Sequence, residues 1–201
     1  MPGQLFVISA PSGTGKTTVI RKVQAQMDGL GYSISHTSRK PRPGEREGVD
    51  YYFVGPQDFE EMIKQGAFVE WARVYGDYYG TSVVSLHDQL NKGMDVILDV
   101  DPVGARNIKK QFPDAALIFI IPPSLDVLEQ RLYGRGTDSE ATIKKRLEKA
   151  VSEVQEALGY DYIVINEELE AAVQEVIAII RAERCRVKRR QHFIKECFPL
   201  S

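Results

Sequence analysis

The chain lacks most features that would set it outside the soluble globular enzymes. It has two cysteines in 201 residues, Cys185 and Cys197, and they form no C-x-x-C pair. That excludes a disulfide scaffold and a cysteine-built zinc site. Three histidines, His36, His87 and His192, stand at no metal-ligand spacing. No apolar run approaches the roughly 20 residues that cross a bilayer. The opening Met1-Pro2-Gly3-Gln4 has no basic stretch of the kind that begins a secretory signal. Neither charge sign dominates: 26 Lys+Arg against 28 Asp+Glu leaves −2, without the basic excess of a dedicated nucleic-acid binder. Repeats, low-complexity stretches and long linkers are also missing. These absences predict a reduced, cytoplasmic protein with no nucleic-acid partner, no membrane partner and no obligate protein partner.

What is present is an alternation of elements. Gln4–Ser9, Met94–Val100, Ala115–Ile121 and Tyr162–Ile165 are short apolar runs that read as buried strands. Helical patterns follow them at about Thr17–Met27, Val103–Phe112, Leu125–Tyr133 and Glu168–Arg190. Strand and helix in alternation predict an α/β fold, a parallel sheet with helices on both faces. Residues 33–81 break the rhythm with short runs, Tyr51–Val54 and Ala67–Val74, and predict a small β-rich insertion with one helix near Asp58–Lys64. Thr137 and Glu140 have capping-box spacing, so a helix is expected from Thr137 to about Ala157. Six of the ten residues Arg181–Arg190 are basic, which reads as a solvated helix end favoured by the helix dipole.

The strongest chemical signal is Ala10-Pro11-Ser12-Gly13-Thr14-Gly15-Lys16-Thr17, a P-loop with Ala at the first Gly position. Small residues let backbone N–H groups face phosphate oxygens, and the helix that follows adds its positive end. Lys16 can reach the β- and γ-phosphates, and the Thr17 hydroxyl can ligate Mg²⁺. Asp99 ends a core strand, where a carboxylate is placed to hold the same ion or its waters. Asp101, two residues on, shares its side of the chain.

A GTPase switch is the competing class. Asp101-Pro102-Val103-Gly104 matches D-x-x-G, but Asn91-Lys92-Gly93-Met94 has Met where the guanine reader needs a carboxylate. It also precedes the Asp101 motif, the reverse of the switch order. The arginines favour phosphoryl transfer between small molecules. Arg39 and Arg42 lie in the loop Ser35–Glu45, Arg131 and Arg135 are four apart around a helix end, and Arg146 is on the next helix. Joining two phosphate groups calls for several cations with water excluded, and the guanidinium fork binds two oxygens at once.

With these residues assembled, the chain resembles the guanylate kinase family, which makes GDP from GMP using ATP. The likeness runs from about Gly3 to Arg190. It is carried by Ser9–Thr18, Ser35–Glu45, Gly48–Phe53, Phe68–Ala72, Tyr78–Ser82, Ile97–Asp101, Gly134–Thr137, Lys145–Leu147 and Ala182–Arg184. The resemblance implies a P-loop NTPase-type core at 1–32 and 94–201, a GMP-binding insertion at 33–93 and a helical lid at about 127–147. It implies ATP and GMP as substrates, with Mg²⁺. It places the GMP phosphate on Ser35, Arg39, Arg42, Tyr51 and Tyr79, and the guanine on Glu70, Thr81 and Asp101. The lid arginines fall on Arg131, Arg135 and Arg146, with Arg135 also near adenine. Asn166 stands where the family passes the adenine. Pro102-Val103 replace an apolar or aromatic residue and Gln usual in relatives, so any contact of that Gln is lost. A non-catalytic scaffold subgroup typically has a damaged P-loop; Lys16 and Thr17 are intact here.

Overall fold

The computed structural model describes residues 2–74, 76–134 and 139–198. A five-stranded parallel sheet forms the centre, in the order β2 (Leu30–Tyr32), β7 (Asp95–Asp99), β1 (Leu5–Ser9), β8 (Ala116–Ile121) and β9 (Tyr162–Ile165). Alternation along the strands sends side chains to opposite faces. Phe6, Ile8, Ile97, Ile118 and Ile120 pack one face against α1 (Lys16–Gln26) and α7 (Leu169–Arg184). Leu5, Val7, Val96, Leu98 and Leu117 pack the other against α3 (Val83–Asn91) and α4 (Pro102–Gln111). Each of these large side chains, fully buried, stabilises the fold by about 1.5–3 kcal/mol in transfer terms. Strands clothed on both faces are why the sequence runs are apolar throughout rather than alternating.

A second, mixed sheet stands beside the first in the order β4 (Tyr52–Phe53), β3 (His36–Thr37), β6 (Asp77–Ser82) and β5 (Phe68–Val74). The helix α2 (Pro56–Lys64) lies against it, with Phe59 stacked on Phe68 and Tyr78. A third group joins α5 (Leu125–Tyr133) to α6 (Glu140–Glu156) through Leu128, Leu132 and Ile143.

Several sequence expectations are revised. The helix α3 went unread, and its Leu86 and Leu90 are part of the core. The edge strand β2 was hidden behind Gly29 and Gly31, which look only like helix terminators. The start expected at Thr137 belongs to Ser139, whose hydroxyl accepts from the Thr142 N–H at 3.3 Å; Thr137 itself lies outside the described residues. The single helix expected over 168–190 is two, because Arg186 is extended and turns its Nε to Glu183 at 3.0 Å. Glu183 is buried and also accepts from Gln4 Nε2 and the Tyr162 hydroxyl. The chain resumes as α8 (Val187–Cys197). Trp71 of β5 is 43% exposed and meets the Tyr78 ring rather than the core.

Candidate active site

The P-loop joins β1 to α1. Gly13 and Gly15 have φ of 99° and 96°, a region that side-chain-bearing residues rarely enter. A Cβ on Gly15 would lie 2.8 Å from Asn166 Nδ2, and one on Gly13 would lie 2.8 Å from the Leu132 side chain. The turn is held from behind. The Thr14 carbonyl accepts from Asn166 Nδ2 at 2.6 Å and from Arg131 Nη1 at 3.3 Å. Arg131 also donates to the Asn166 and Glu167 carbonyls. Sequence reasoning gave Arg131 to the phosphates and Asn166 to adenine. The structure sets both side chains against the back of the loop, where three carbonyls converge and a guanidinium and an amide satisfy them.

On the open side, a cleft of about 300 Å³ is lined by Ala10–Gly13, Gly15–Thr18, Ser35, Arg42, Tyr51, Glu70, Tyr79, Asp99, Asp101 and Arg146. Most of the predicted site residues therefore meet in one place; Thr14, Arg39, Thr81, Arg131 and Asn166 do not line it. Lys16 forms an ion pair with Asp99, both largely buried. Arg39 is held from several directions: Nη2 donates to both Glu45 oxygens at 2.9 and 3.0 Å, Nε to the Tyr79 hydroxyl at 3.2 Å, and its carbon sits 5.5 Å over the Tyr51 ring. The Glu45 contact keeps the Arg39 guanidinium firmly charged although burial opposes it. Burial also pushes the Tyr51 hydroxyl far above its ordinary range, with Asp99 adding to it, so Tyr51 is a neutral donor.

At the insertion end Glu70 is 6% exposed. Burial pushes its carboxyl up to about 7; the Thr81 hydrogen bond opposes this and Asp101 reinforces it. The Thr81 hydroxyl donates to Glu70 Oε1 at 2.9 Å. The resemblance also assigns Thr81 to guanine, and a hydroxyl has one proton, so it donates to only one of the two at a time. Asp101 caps α4, its Oδ1 accepting from the Gly104 N–H at 2.8 Å, which leaves Oδ2 for another donor. Arg135 lies outside the described residues.

Three participants went unread. Lys149 and Glu153 follow Arg146 at the i+3 and i+7 positions of α6 and line the same cleft; that spacing was the available signal. Gly104 was read only as the end of a D-x-x-G decoy. A Cβ there would lie 2.7 Å from Glu70 Oε2, so its hydrogen is what gives Glu70 room.

Among the described residues no group of three acidic, histidine or cysteine side chains forms a metal cage. The donor set that is present, the Thr17 hydroxyl and Asp99 facing the cleft, fits Mg²⁺, which keeps waters and phosphate oxygens and takes few protein ligands.

Comparison with known proteins agrees with this geometry. A family model described as guanylate kinase matches residues 3–183. A guanylate kinase of Syntrophotalea carbinolica is 48% identical over 187 residues, covering 93% of this chain and 89% of that protein. One of Geobacter sulfurreducens is 43% identical over 198 residues, covering 98% of each. The crystal structure of guanylate kinase from Anaplasma phagocytophilum superposes with a TM-score of 0.83 at 30% identity, covering 100% of this chain and 97% of that one. On sequence, fold and site together, the chain belongs to the guanylate kinase family.

Proposed function

We infer that the chain transfers the γ-phosphoryl group of ATP to GMP, giving ADP and GDP, in cytoplasmic purine nucleotide metabolism and GMP recycling. One observation carries this reading. A P-loop with Lys16 and Thr17 opens into the same cleft as a buried carboxylate, Glu70, with Asp101 beside it. Guanine presents N1–H and an N2 amine side by side, a pair of donors suited to two carboxylates.

The phosphoryl donor rests on the P-loop amides and the N-terminal end of α1. Lys16 leaves Asp99 for the β- and γ-phosphates, and Asp99 and Thr17 are then free to hold Mg²⁺. When bound, the ion would supply positive charge to the donor's phosphates. The acceptor phosphate sits among Ser35, Arg39, Arg42, Tyr51 and Tyr79, all in or beside the second sheet. Glu45 fixes the Arg39 fork in place before substrate arrives. An oxygen of the GMP phosphate attacks the γ-phosphorus, the bond to the bridging oxygen breaks, and ADP departs. The attacking oxygen is already anionic, so no general base is required. Arg146, with the Arg131 and Arg135 that the resemblance implies, offsets the charge on the transferred group. Arg131 and Asn166 further serve as supports of the loop, through the Thr14 carbonyl.

The test is ADP formation in a coupled assay with ATP and GMP, AMP, UMP, CMP or dTMP as acceptor. GMP is expected to be used at least a thousandfold better than AMP by kcat/KM, since adenine would leave Glu70 unpaired. Comparable use of AMP refutes the guanine pocket.

A further inference from the structure

The helix α8 is turned the opposite way from an ordinary surface helix, whose apolar stripe faces the core. Its cations tie it to the body: Lys188 pairs with Asp114, and Arg189 Nη1 donates to the Pro2 carbonyl at 2.9 Å. Its apolar side chains lie on the far side. Val187, Ile194 and Phe198 recur at seven and four residues, one side of a helix, while Phe193, four after Arg189, lies at the edge toward the body. All four are exposed, Val187 at 73% and Phe193 at 58%, and α8 has no buried residue. The helix lies beyond residue 183, where the family match ends, and it lines neither the cleft nor its rim.

Charge and size decide what covers this strip. Exposed Arg186, Arg190 and Lys195 border it. The only acid of α8, Glu196, falls seven residues after Arg189 and so on the body side. A second copy seated on the strip would bring cation against cation with no acid between. An 11-residue helix is also only about 16 Å long. One such face buries far less than the roughly 800 Å² per partner of a stable dimer. A nucleic acid would take the cations and leave the aromatic and branched side chains in water. A surface of anionic lipid answers both features: the strip enters the interface and the bordering cations meet headgroup phosphates.

We propose that α8 docks the enzyme on a membrane surface that carries anionic lipid headgroups, lying in the interface plane with Val187, Ile194 and Phe198 inward and Phe193 at the flank. This departs from the sequence expectation of no membrane partner and from the reading of the basic stretch as a merely solvated end. It is docking, not spanning: no helix among the described residues is long and apolar enough to cross a bilayer.

The full-length chain is sedimented with vesicles of phosphatidylcholine alone and of phosphatidylcholine with about one-third phosphatidylglycerol, the range in which anionic surfaces attract basic segments. Binding to the anionic vesicles only, weakened by salt, is expected. Arg190→Gln should weaken it about fivefold, and Phe193→Ser with Ile194→Ser at least tenfold. GMP kinase activity in solution should be unchanged in both variants, which shows that they are folded. Equal recovery with the two vesicle types, recovery with neither, or unaltered binding of the serine variant overturns the proposal. So does a dimer in sedimentation velocity that the serine variant dissolves, because a second copy would then be what covers the strip.

Discussion

Glu70→Gln should make the protein more stable and less active at once, and both effects follow from burial. The carboxyl is pushed from an ordinary 4.5 to about 7. At roughly 1.4 kcal/mol for each tenfold change in proton affinity, that rise is about 3 kcal/mol. The sign follows from which form the fold disfavours. The neutral carboxyl is tolerated, so nothing is lost below pH 4.5; the penalty grows as the group ionises and is complete above about 7. Gln keeps an oxygen for the Thr81 hydroxyl and carries no charge. Melting of the substrate-free variant should therefore match the parent near pH 4 and exceed it by about 4–8 °C at pH 8, given 2–4 °C per kcal/mol at this size and some relaxation of the parent site. Catalysis moves the other way. Gln turns one acceptor into a donor facing a donor on guanine, and a charged hydrogen bond lost with a buried group unpaired costs about 3–4 kcal/mol. kcat/KM for GMP should fall about 10²–10³-fold, while ATP affinity, measured separately, should hold. A melting difference that is the same at pH 4 and pH 8 would refute the desolvation argument. Unchanged discrimination between GMP and AMP would show that Glu70 does not read the base.

The same carboxyl predicts that GMP affinity of the parent falls as pH drops below about 7, because the protonated form offers guanine one acceptor fewer. Titration calorimetry from pH 5.5 to 8.5 should show this on top of the phosphate's own ionisation, and Glu70→Gln should keep only the latter. Lys16→Ala should cost about 3–4 kcal/mol or more in kcat with an unchanged circular dichroism spectrum; turnover within threefold of the parent would mean the P-loop is not used. Gly104→Ala improves helix propensity by about 0.5–1 kcal/mol but puts a carbon against Glu70 Oε2, 2.7 Å from its ideal place. KM for GMP should rise about tenfold with ATP binding intact, and an unmoved KM would show that Glu70 has slack. Asn166→Ala removes a buried hydrogen bond to Thr14 worth about 1–3 kcal/mol. If Asn166 supports the loop, ATP and GTP should both weaken as donors; loss confined to ATP would return it to the role of adenine reader.

Much of the core is written in local patterns that need no partner to be recognised. Ile97 and Leu98 belong to an apolar run between Asp95 and Asp99, and any such run that cannot face water must be a strand covered twice. The P-loop is legible because Gly13 and Gly15 need a left-handed backbone and Lys16 has one task beside phosphates. Tertiary structure decided the rest, wherever a contact crossed long separations. No Gly or Pro marks the break before α8; Glu183 makes it, by holding Gln4 from 179 positions away and drawing Arg186 back. Arg131 and Asn166 have the chemistry for phosphate or adenine, and only the convergence of carbonyls behind Thr14 gives them a loop to hold. Thr81 and Glu70 lie 11 residues apart on neighbouring strands, and their bond arises from register. The spacing of Val187, Ile194 and Phe198 was there to be read, although the expected helix stopped at Arg190. Which side of it the body occupies was not, because helical periodicity fixes the faces of a helix relative to one another and never relative to the rest of the molecule.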